Sequence, residues 1–203
     1  MARWERSWAQ LGVAAPKPDV FNRLMAAYAE PHRSYHTARH LDECFAKLEE
    51  VRHEAKRSGE VELALWFHDA VYDPQRDDNE AKSAEWARET ARAAGVVDEV
   101  LERIRALILA TRHAAPPAGP DEKVLVDVDL SILGAAPARF DEYERQVREE
   151  YAWLPEPEFG ARRREVLQRF LARAAIFSTR TFAAAYEAPA RENLERSLAR
   201  LGG

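Results

Sequence analysis

Histidines and aspartates in three short segments have the types and spacing expected of metal ligands. The first segment, Tyr35–Leu41, carries His36 and His40 four residues apart. On a helix these two share a face, where the apolar stripe borders His40 and leaves His36 turned further out. We predict that His40 faces the interior and that His36 lies at a rim, where an imidazole can serve as a general acid. The alternative is an ordinary hydrogen-bonded pair at a helix start.

The second segment, Leu63–Tyr72, is apolar on all sides and places His68 next to Asp69. This pattern predicts a buried helix. An ionised aspartate is costly to bury unless it is paired or bound to a metal, and the same burial disfavours a charged histidine. The pair favours metal binding, with a buried His–Asp hydrogen bond or an arginine partner as the alternative.

The third segment, Val124–Leu133, contains Asp127 and Asp129. Two residues apart on a helix, their side chains point about 160° away from each other, so only one can face the core. Asp129 falls within the apolar arc and Asp127 falls outside it. We therefore predict that Asp129 is the buried carboxylate that needs a partner, and that Asp127 is solvated or supports a ligand.

Together the segments predict one metal site formed by His40, His68, Asp69 and Asp129. Two nitrogen and two carboxylate ligands suit an octahedral divalent ion that keeps open positions for water. Mn, Mg, Co, Fe, Ni and Zn all remain candidates, since the same ligands accept several ions. Such an ion can activate water and stabilise charge on a phosphoryl oxygen, which favours hydrolysis of a phosphate ester or anhydride.

These residues resemble the motifs of the HD superfamily of metal-dependent phosphohydrolases, which are all-helical enzymes. Their metal ligands are a His, an adjacent His–Asp pair and a later Asp. The similarity covers nearly the whole chain and is close to a group of predicted bacterial phosphohydrolases. The motifs that carry it are Tyr35-His36-x3-His40-Leu41, Phe67-His68-Asp69-Ala70-Val71-Tyr72-Asp73-Pro74, Asn79-Glu80-x2-Ser83-Ala84, Asp129-Leu130-Ser131-Ile132-Leu133-Gly134 and Ala190-Arg191-x-Asn193-Leu194.

The first motif also resembles that of cyclic-nucleotide phosphodiesterases, in which a proton-donating His lies one turn before the first ligand. Thr37 stands where those enzymes have Asn, and their long substrate-pocket signatures are not recognisable. Specificity for cyclic nucleotides is therefore not implied. The resemblance does imply that His36 is the general acid, and we expect His36 and Asp69 to be the catalytic residues.

Helical spacing of apolar residues recurs nearly everywhere, which predicts an all-α protein. We expect one HD-type helical bundle over residues 1–203, in which the C-terminal helices from about residue 137 to 203 pack on the metal-binding core. Candidate helices run over roughly 3–12, 17–30, 36–57, 60–73, 78–94, 97–113, 122–133, 137–150, 158–175 and 187–201, separated mostly by Pro and Gly.

Composition limits the partners. The net charge of −5 comes without a basic block, which argues against long nucleic acid. No stretch approaches the roughly 20 apolar residues of a membrane span, and the charged N-terminus lacks the apolar core of a secretory signal. We expect a cytoplasmic protein that binds a small phosphorylated substrate, with a nucleotide among the candidates. The single cysteine, Cys44, fits a packing role.

Two further residues have open interpretations. Glu80 matches a motif position, but Asp77 and Glu80 also form a capping box for the helix that begins there. It either caps that helix or supports the metal site. His113 ends a helix, where it would complement the helix C-terminus, or it contributes to a second metal or to phosphate binding.

Several arginines are near the predicted site in sequence. Arg33, Arg39 and Arg112 would bind phosphate through bidentate contacts, or form surface salt bridges. Arginines 162–164 fit a solvated helix face.

Two alternatives to hydrolysis remain. Some HD-type proteins resemble this one in their ligands but use two irons to oxidise organic substrates, which would require extra ligands from His32, His53 or His113. The third interpretation is a binding module in which the metal anchors a nucleotide without catalysis.

Overall fold

Helices account for almost all of the regular structure in the computed structural model, which describes residues 1–202. They are α1 (Ala2–Gln10), α2 (Pro18–Ala27), α3 (Ala38–Val51), α4 (Ser58–Phe67), α5 (Asn79–Ala93), α6 (Asp98–Ala110), α7 (Pro120–Asp129), α8 (Pro137–Glu150), α9 (Glu156–Leu171) and α10 (Arg180–Leu201). Short 3-10 helices follow α3 and α7, at Arg52–Glu54 and Leu130–Gly134. No strand occurs in the described range, which confirms the all-α prediction. Gly203, the last residue of the predicted domain, lies outside it.

Helix α4 lies at the centre of the fold. Its side chains are buried on every face, as the apolar run from Leu63 onward predicts, and the burial extends to Glu60 and Glu62. It contacts α1, α3, α5, α6 and α7. Trp66 and Phe67 at its C-terminal end are core residues, and the indole N–H of Trp66 donates to Ser7. The residues that follow α4, His68 and Asp69, are therefore anchored to a buried helix that contacts five others.

Helix α10 closes the other side of the bundle and packs on the 3-10 helix Leu130–Gly134. The contact is close, because a Cβ on Gly134 would lie 2.7 Å from the Cβ of Tyr186. The buried amide of Asn193 donates to the carbonyl oxygens of Leu133 and Ala135. The prediction that α10 starts near residue 187 is wrong: it begins at Arg180 and contains Pro189.

The helix ends differ from prediction at the two motifs that matter most. His36 precedes the start of α3, whereas the predicted helix began at His36. Helix α4 stops at Phe67, so His68 and Asp69 lie in the turn that follows it and not within a helix. The side chains of His36, His68 and Asp69 are therefore positioned by turns and not by helices.

None of the helices within residues 1–202 is both long enough and apolar enough to cross a membrane.

Candidate metal centre

The four predicted ligands converge at one point. His40 Nε2 lies 3.1 Å from His68 Nε2 and 3.3 Å from an Asp129 carboxylate oxygen. His68 Nε2 lies 3.0 Å from Asp69 Oδ2 and 3.5 Å from Asp129 Oδ1. Ligand atoms that share one ion at about 2.1 Å are about 3 Å apart when their bonds are at right angles. These atoms are therefore spaced as a divalent ion requires, and they could hold one.

Each ligand comes from a different position in the bundle. His40 lies on α3, Asp129 is the last residue of α7, and His68 and Asp69 follow α4. His68 Nδ1 lies 2.8 Å from the carbonyl oxygen of Leu65. A carbonyl can only accept, so Nδ1 carries a proton and Nε2 is the nitrogen that faces the cluster. A metal ion bound at Nε2 would take the place of any proton there.

Charges within the cluster stabilise one another. Burial alone would lower the pKa of His68, but the charge of Asp69 and hydrogen bonding to Asp129 raise it well above its usual value. Burial alone would raise the pKa of Asp69, but the positive charges of His68 and His36 hold it well below its usual range. The pKa of Asp129 is likewise lowered, against the effect of burial, by hydrogen bonds from His113, His40 and His68. Both carboxylates are therefore ionised and available to a cation.

Asp127 is not solvated, and that part of the prediction is wrong. Its side chain is completely buried and accepts hydrogen bonds from the backbone N–H groups of Ser178 and Thr179 and from the Thr179 hydroxyl. It thus binds the residues that lead into α10. Asp129 is 14% exposed and points to the cluster, as predicted. The segment just before α10 therefore bonds to the face of α7 that carries Asp127.

Cys44 lies beside the centre. Its sulfur is 3.6 Å from both ring nitrogens of His40, and the thiol could join His40, His68 and Asp129 around an ion. Burial and the nearby charges of Asp129 and Asp69 raise the pKa of the thiol well above its usual value. The neutral thiol packs as predicted, next to the predicted ligands.

His113 joins the cluster from the end of α6. Its Nε2 lies 3.0 Å from the Asp129 oxygen Oδ2, and its ring packs edge-on against Phe170. The residue has φ 53°, a left-handed backbone conformation that residues other than Gly rarely adopt. Arg173 donates to its carbonyl oxygen. His113 is thus placed to orient Asp129 and to face a substrate.

His36 lies at the rim, 22% exposed, as predicted. Its Nδ1 lies 2.7 Å from the carboxylate of Glu150, which is buried at the end of α8. The other carboxylate oxygen of Glu150 accepts the backbone N–H groups of Ser34, Tyr35 and His36. These bonds hold the segment in a turn and explain why α3 starts after His36.

The Glu150 carboxylate controls the charge of this imidazole. Burial would lower the pKa of His36, but Glu150 and, further away, Asp69 raise it above its usual value. Burial would raise the pKa of Glu150, but its bonds to His36 and to the Tyr72 hydroxyl bring it to about 2. The ring of Tyr72 stacks on His36 at 4.1 Å. Glu150 and Tyr72 therefore orient the His36 imidazole, and Glu150 favours its protonated form.

Arg33 holds the two motif segments together. Its buried guanidinium donates to the carbonyl oxygens of Asp69 at 2.7 Å, His36 at 3.1 Å and Ala70 at 3.3 Å. It also pairs with Glu30 at 3.0 Å. A side chain fully occupied in this way is not placed to bind phosphate, and the turn at Asp69 exists because these carbonyls bond to Arg33 and not to a continuing helix.

The other predicted arginines and Glu80 are nearer the surface. Arg39 pairs with Glu142 and Glu43 and is not among the described side chains that line the cavity. Arg112 lines the cavity and contacts Glu80 at 3.4 Å. No side chain caps the start of α5 in the described structure, so the predicted capping box is wrong and Glu80 is an ion-pair partner.

A cavity of about 500 Å³ opens beside the centre. Asp69, Asp129, His36 and His113 line it, while His40 and His68 lie beneath these residues. A volume of this size is typical of small-molecule sites. The cluster is therefore accessible to a small substrate.

Two residues at or near the cavity were not anticipated. Glu150 is one of several glutamates on α8, and only the long-range contact with His36 distinguishes it. Arg163, predicted to be solvated, is buried against the Tyr143 ring and paired with Glu144. The sequence does contain a signal for this burial, because Arg163 lies four residues from both Phe159 and Leu167, on the apolar face of α9.

Comparisons with protein-family models, with curated proteins and with solved structures give no match to this chain. Its function therefore has to be argued from the geometry of the site.

Proposed function

We propose that this protein is a metal-dependent phosphohydrolase of the HD type that cleaves a small phosphate ester, phosphodiester or nucleotide. The observation that carries the proposal is the convergence of His40, His68, Asp69 and Asp129 beside a cavity rimmed by His36, in which the Nε2 atom of each histidine lies 3.0 to 3.6 Å from the donor atoms of the other three residues. The proposal includes a cytoplasmic location.

The four residues would hold a divalent ion, which activates water and stabilises charge on a phosphoryl oxygen when bound. His36 supplies the proton for the leaving-group oxygen. Its Nδ1–H is held by Glu150, so Nε2 is the nitrogen that can donate into the cavity. Glu150 raises the pKa of His36, which favours the protonated form that a general acid needs.

The ligand supply favours hydrolysis over a di-iron oxygenase. Of the three histidines that could add ligands, His113 alone reaches the cluster within the described residues. His32 contacts the carbonyl oxygen of Tyr72, and His53 is exposed after α3. One ion with a nearby proton donor fits this arrangement better than two irons or a passive binding module.

The test is turnover of phosphate esters by the purified chain supplied with Mn²⁺, Co²⁺ or Mg²⁺. We expect cleavage of a chromogenic phosphate that disappears in His68→Ala and is retained in His53→Ala. Absence of turnover on nucleotide, phosphoester and pyrophosphate substrates with every metal would contradict the proposal. Unchanged turnover in both His36→Ala and Asp69→Ala would favour a site without a catalytic role.

A further inference from the structure

The cavity beside the metal centre has two unlike walls. One wall is polar and comes mainly from α5 and the end of α6, with Arg76, Asn79, Glu80, Thr111 and Arg112. The other wall is mostly apolar and comes mainly from the 3-10 helix, α8 and α9, although Arg162 and Arg163 of α9 also line the cavity. Its apolar residues are Ile132, Val147, Leu154, Phe159, Val166 and Phe170. The predicted ligands Asp69 and Asp129 are reached from the same space.

Helix α9 supplies most of the apolar wall through residues on one face. Phe159, Val166 and Phe170 are separated by seven and four residues, which places them on one side of a helix. Leu167, one position away, is fully buried and fixes the helix to the bundle. Val166 and Phe170 are only partly buried and both line the cavity, so part of their apolar surface faces it, although the Phe170 ring also contacts His113 and Arg173. A ligand with apolar surface would gain free energy by covering it.

The cavity arginines are already neutralised. Arg76 pairs with Asp78, Arg112 with Glu80, Arg162 with Glu158 and Arg163 with Glu144. A second phosphate on the substrate would therefore compete with a carboxylate at each of these positions. The arrangement favours one anionic group, located at the metal centre, and an uncharged remainder.

We propose that the cavity selects phosphate monoesters of an apolar ring, with the phosphate next to the ion that His40, His68, Asp69 and Asp129 would hold and the ring against α9. This specificity rests on the proposed function, because the metal centre defines where the phosphate lies. Esters of hydrophilic polyols and bisphosphates would leave the α9 wall uncovered or face the paired arginines.

Binding of two phosphonates, which cannot be hydrolysed as esters, tests this without relying on turnover. Titration calorimetry would measure the binding of phenylphosphonate and of methylphosphonate to the full chain. Each compound would be titrated into Mn²⁺-loaded protein and into metal-free protein. We expect phenylphosphonate to bind about tenfold more tightly or better, since the ring covers apolar surface that a methyl group cannot reach. Equal affinities, or no binding of either compound, overturn the proposal.

The two conditions separate this proposal from the proposed function. A phenyl preference that persists with no effect of Mn²⁺ on either affinity supports the ring site and contradicts the metal site. Affinities that need Mn²⁺ but do not differ between the two phosphonates support the metal site and contradict the ring site.

A variant pair locates the preference on α9. Val166→Asp places a charge on the apolar wall, whereas Gln168→Asp places one on the exposed face of the same helix. We expect Val166→Asp to reduce the phenyl preference to about twofold with methylphosphonate unchanged, and Gln168→Asp to keep the full preference. Circular dichroism confirms folding. A full preference in folded Val166→Asp would overturn the assignment, and the wild-type comparison stands if that variant fails to fold.

Discussion

The carboxylate of Glu150 lies 2.7 Å from Nδ1 of His36 and favours a proton on that nitrogen. The two residues are 114 positions apart in the chain, yet Glu150 also accepts the backbone N–H of His36. One buried side chain thus sets both the position and the charge of the candidate proton donor.

Removing the Glu150 charge should move the pH dependence of turnover. His36 must be protonated to act as an acid, so the rate falls as pH rises through its pKa. Glu150 raises that pKa, and Glu150→Gln should therefore shift the basic limb of the kcat profile to lower pH. Glu149→Gln, which changes an exposed neighbour, should leave the profile in place. An unmoved limb in Glu150→Gln would exclude this role.

Asp127 and Asp129 should separate stability from metal binding. Asp127→Asn loses acceptors for donors near Thr179, so we expect a loss of about 2 kcal/mol in the free energy of unfolding with metal content unchanged. Asp129→Asn should lose bound metal and show the smaller change in melting temperature. Thermal melts of the metal-free proteins, combined with elemental analysis after Mn²⁺ loading, measure both effects. A reversed pattern would mean that the two roles are exchanged.

Arg33 should affect turnover by holding His36 and the turn at Asp69 in position. Lysine cannot reproduce the planar fork that reaches the carbonyl oxygens of Asp69, Ala70 and His36. We expect Arg33→Lys to reduce kcat about 10- to 100-fold at saturating metal, with a smaller effect on KM. Arg39→Lys, at an exposed ion pair, should stay within about twofold of the wild type. Equal kcat in the two variants would show that the Arg33 contacts are dispensable.

His113→Gly should weaken Mn²⁺ binding with little change in the free energy of unfolding. Glycine adopts the left-handed backbone without penalty, so we expect unfolding free energy to stay within about 1 kcal/mol of the wild type. Without the contact to Asp129, Mn²⁺ affinity should fall about 10- to 100-fold. Calorimetric titration and denaturant unfolding give the two values, and unchanged Mn²⁺ affinity would show that His113 does not orient Asp129.

The sequence is most informative where a single helix decides the outcome. Predicted residues 137–150 coincide with α8, because Pro137 starts the helix and its apolar positions recur at helical spacing. His40, His68 and Asp129 could be identified because polar side chains at apolar positions are costly unless they have a partner. The prediction fails for Asp127, since the periodicity of α7 contains nothing about the residues before α10 that bond to it.

The same limit applies to turns and distant partners. The helix predicted through Tyr72 ends at Phe67, because Arg33 binds the carbonyl oxygens that a longer helix would use. Glu150 could not be distinguished from Glu149 by composition or spacing, since its role comes from a segment more than 100 residues away. Only tertiary packing brings these groups together.

The role of His36 can be isolated through the leaving group. 4-Nitrophenolate departs without a proton, whereas an alkoxide needs one, so a general acid matters far more for an alkyl phosphate. We expect His36→Gln to reduce kcat about 10²- to 10⁴-fold on an alkyl phosphate and about tenfold or less on 4-nitrophenyl phosphate. His32→Gln changes a more exposed imidazole near the same Tyr72 ring and should affect neither substrate. Equal losses on both substrates in His36→Gln would mean that His36 positions the substrate and does not protonate the leaving group.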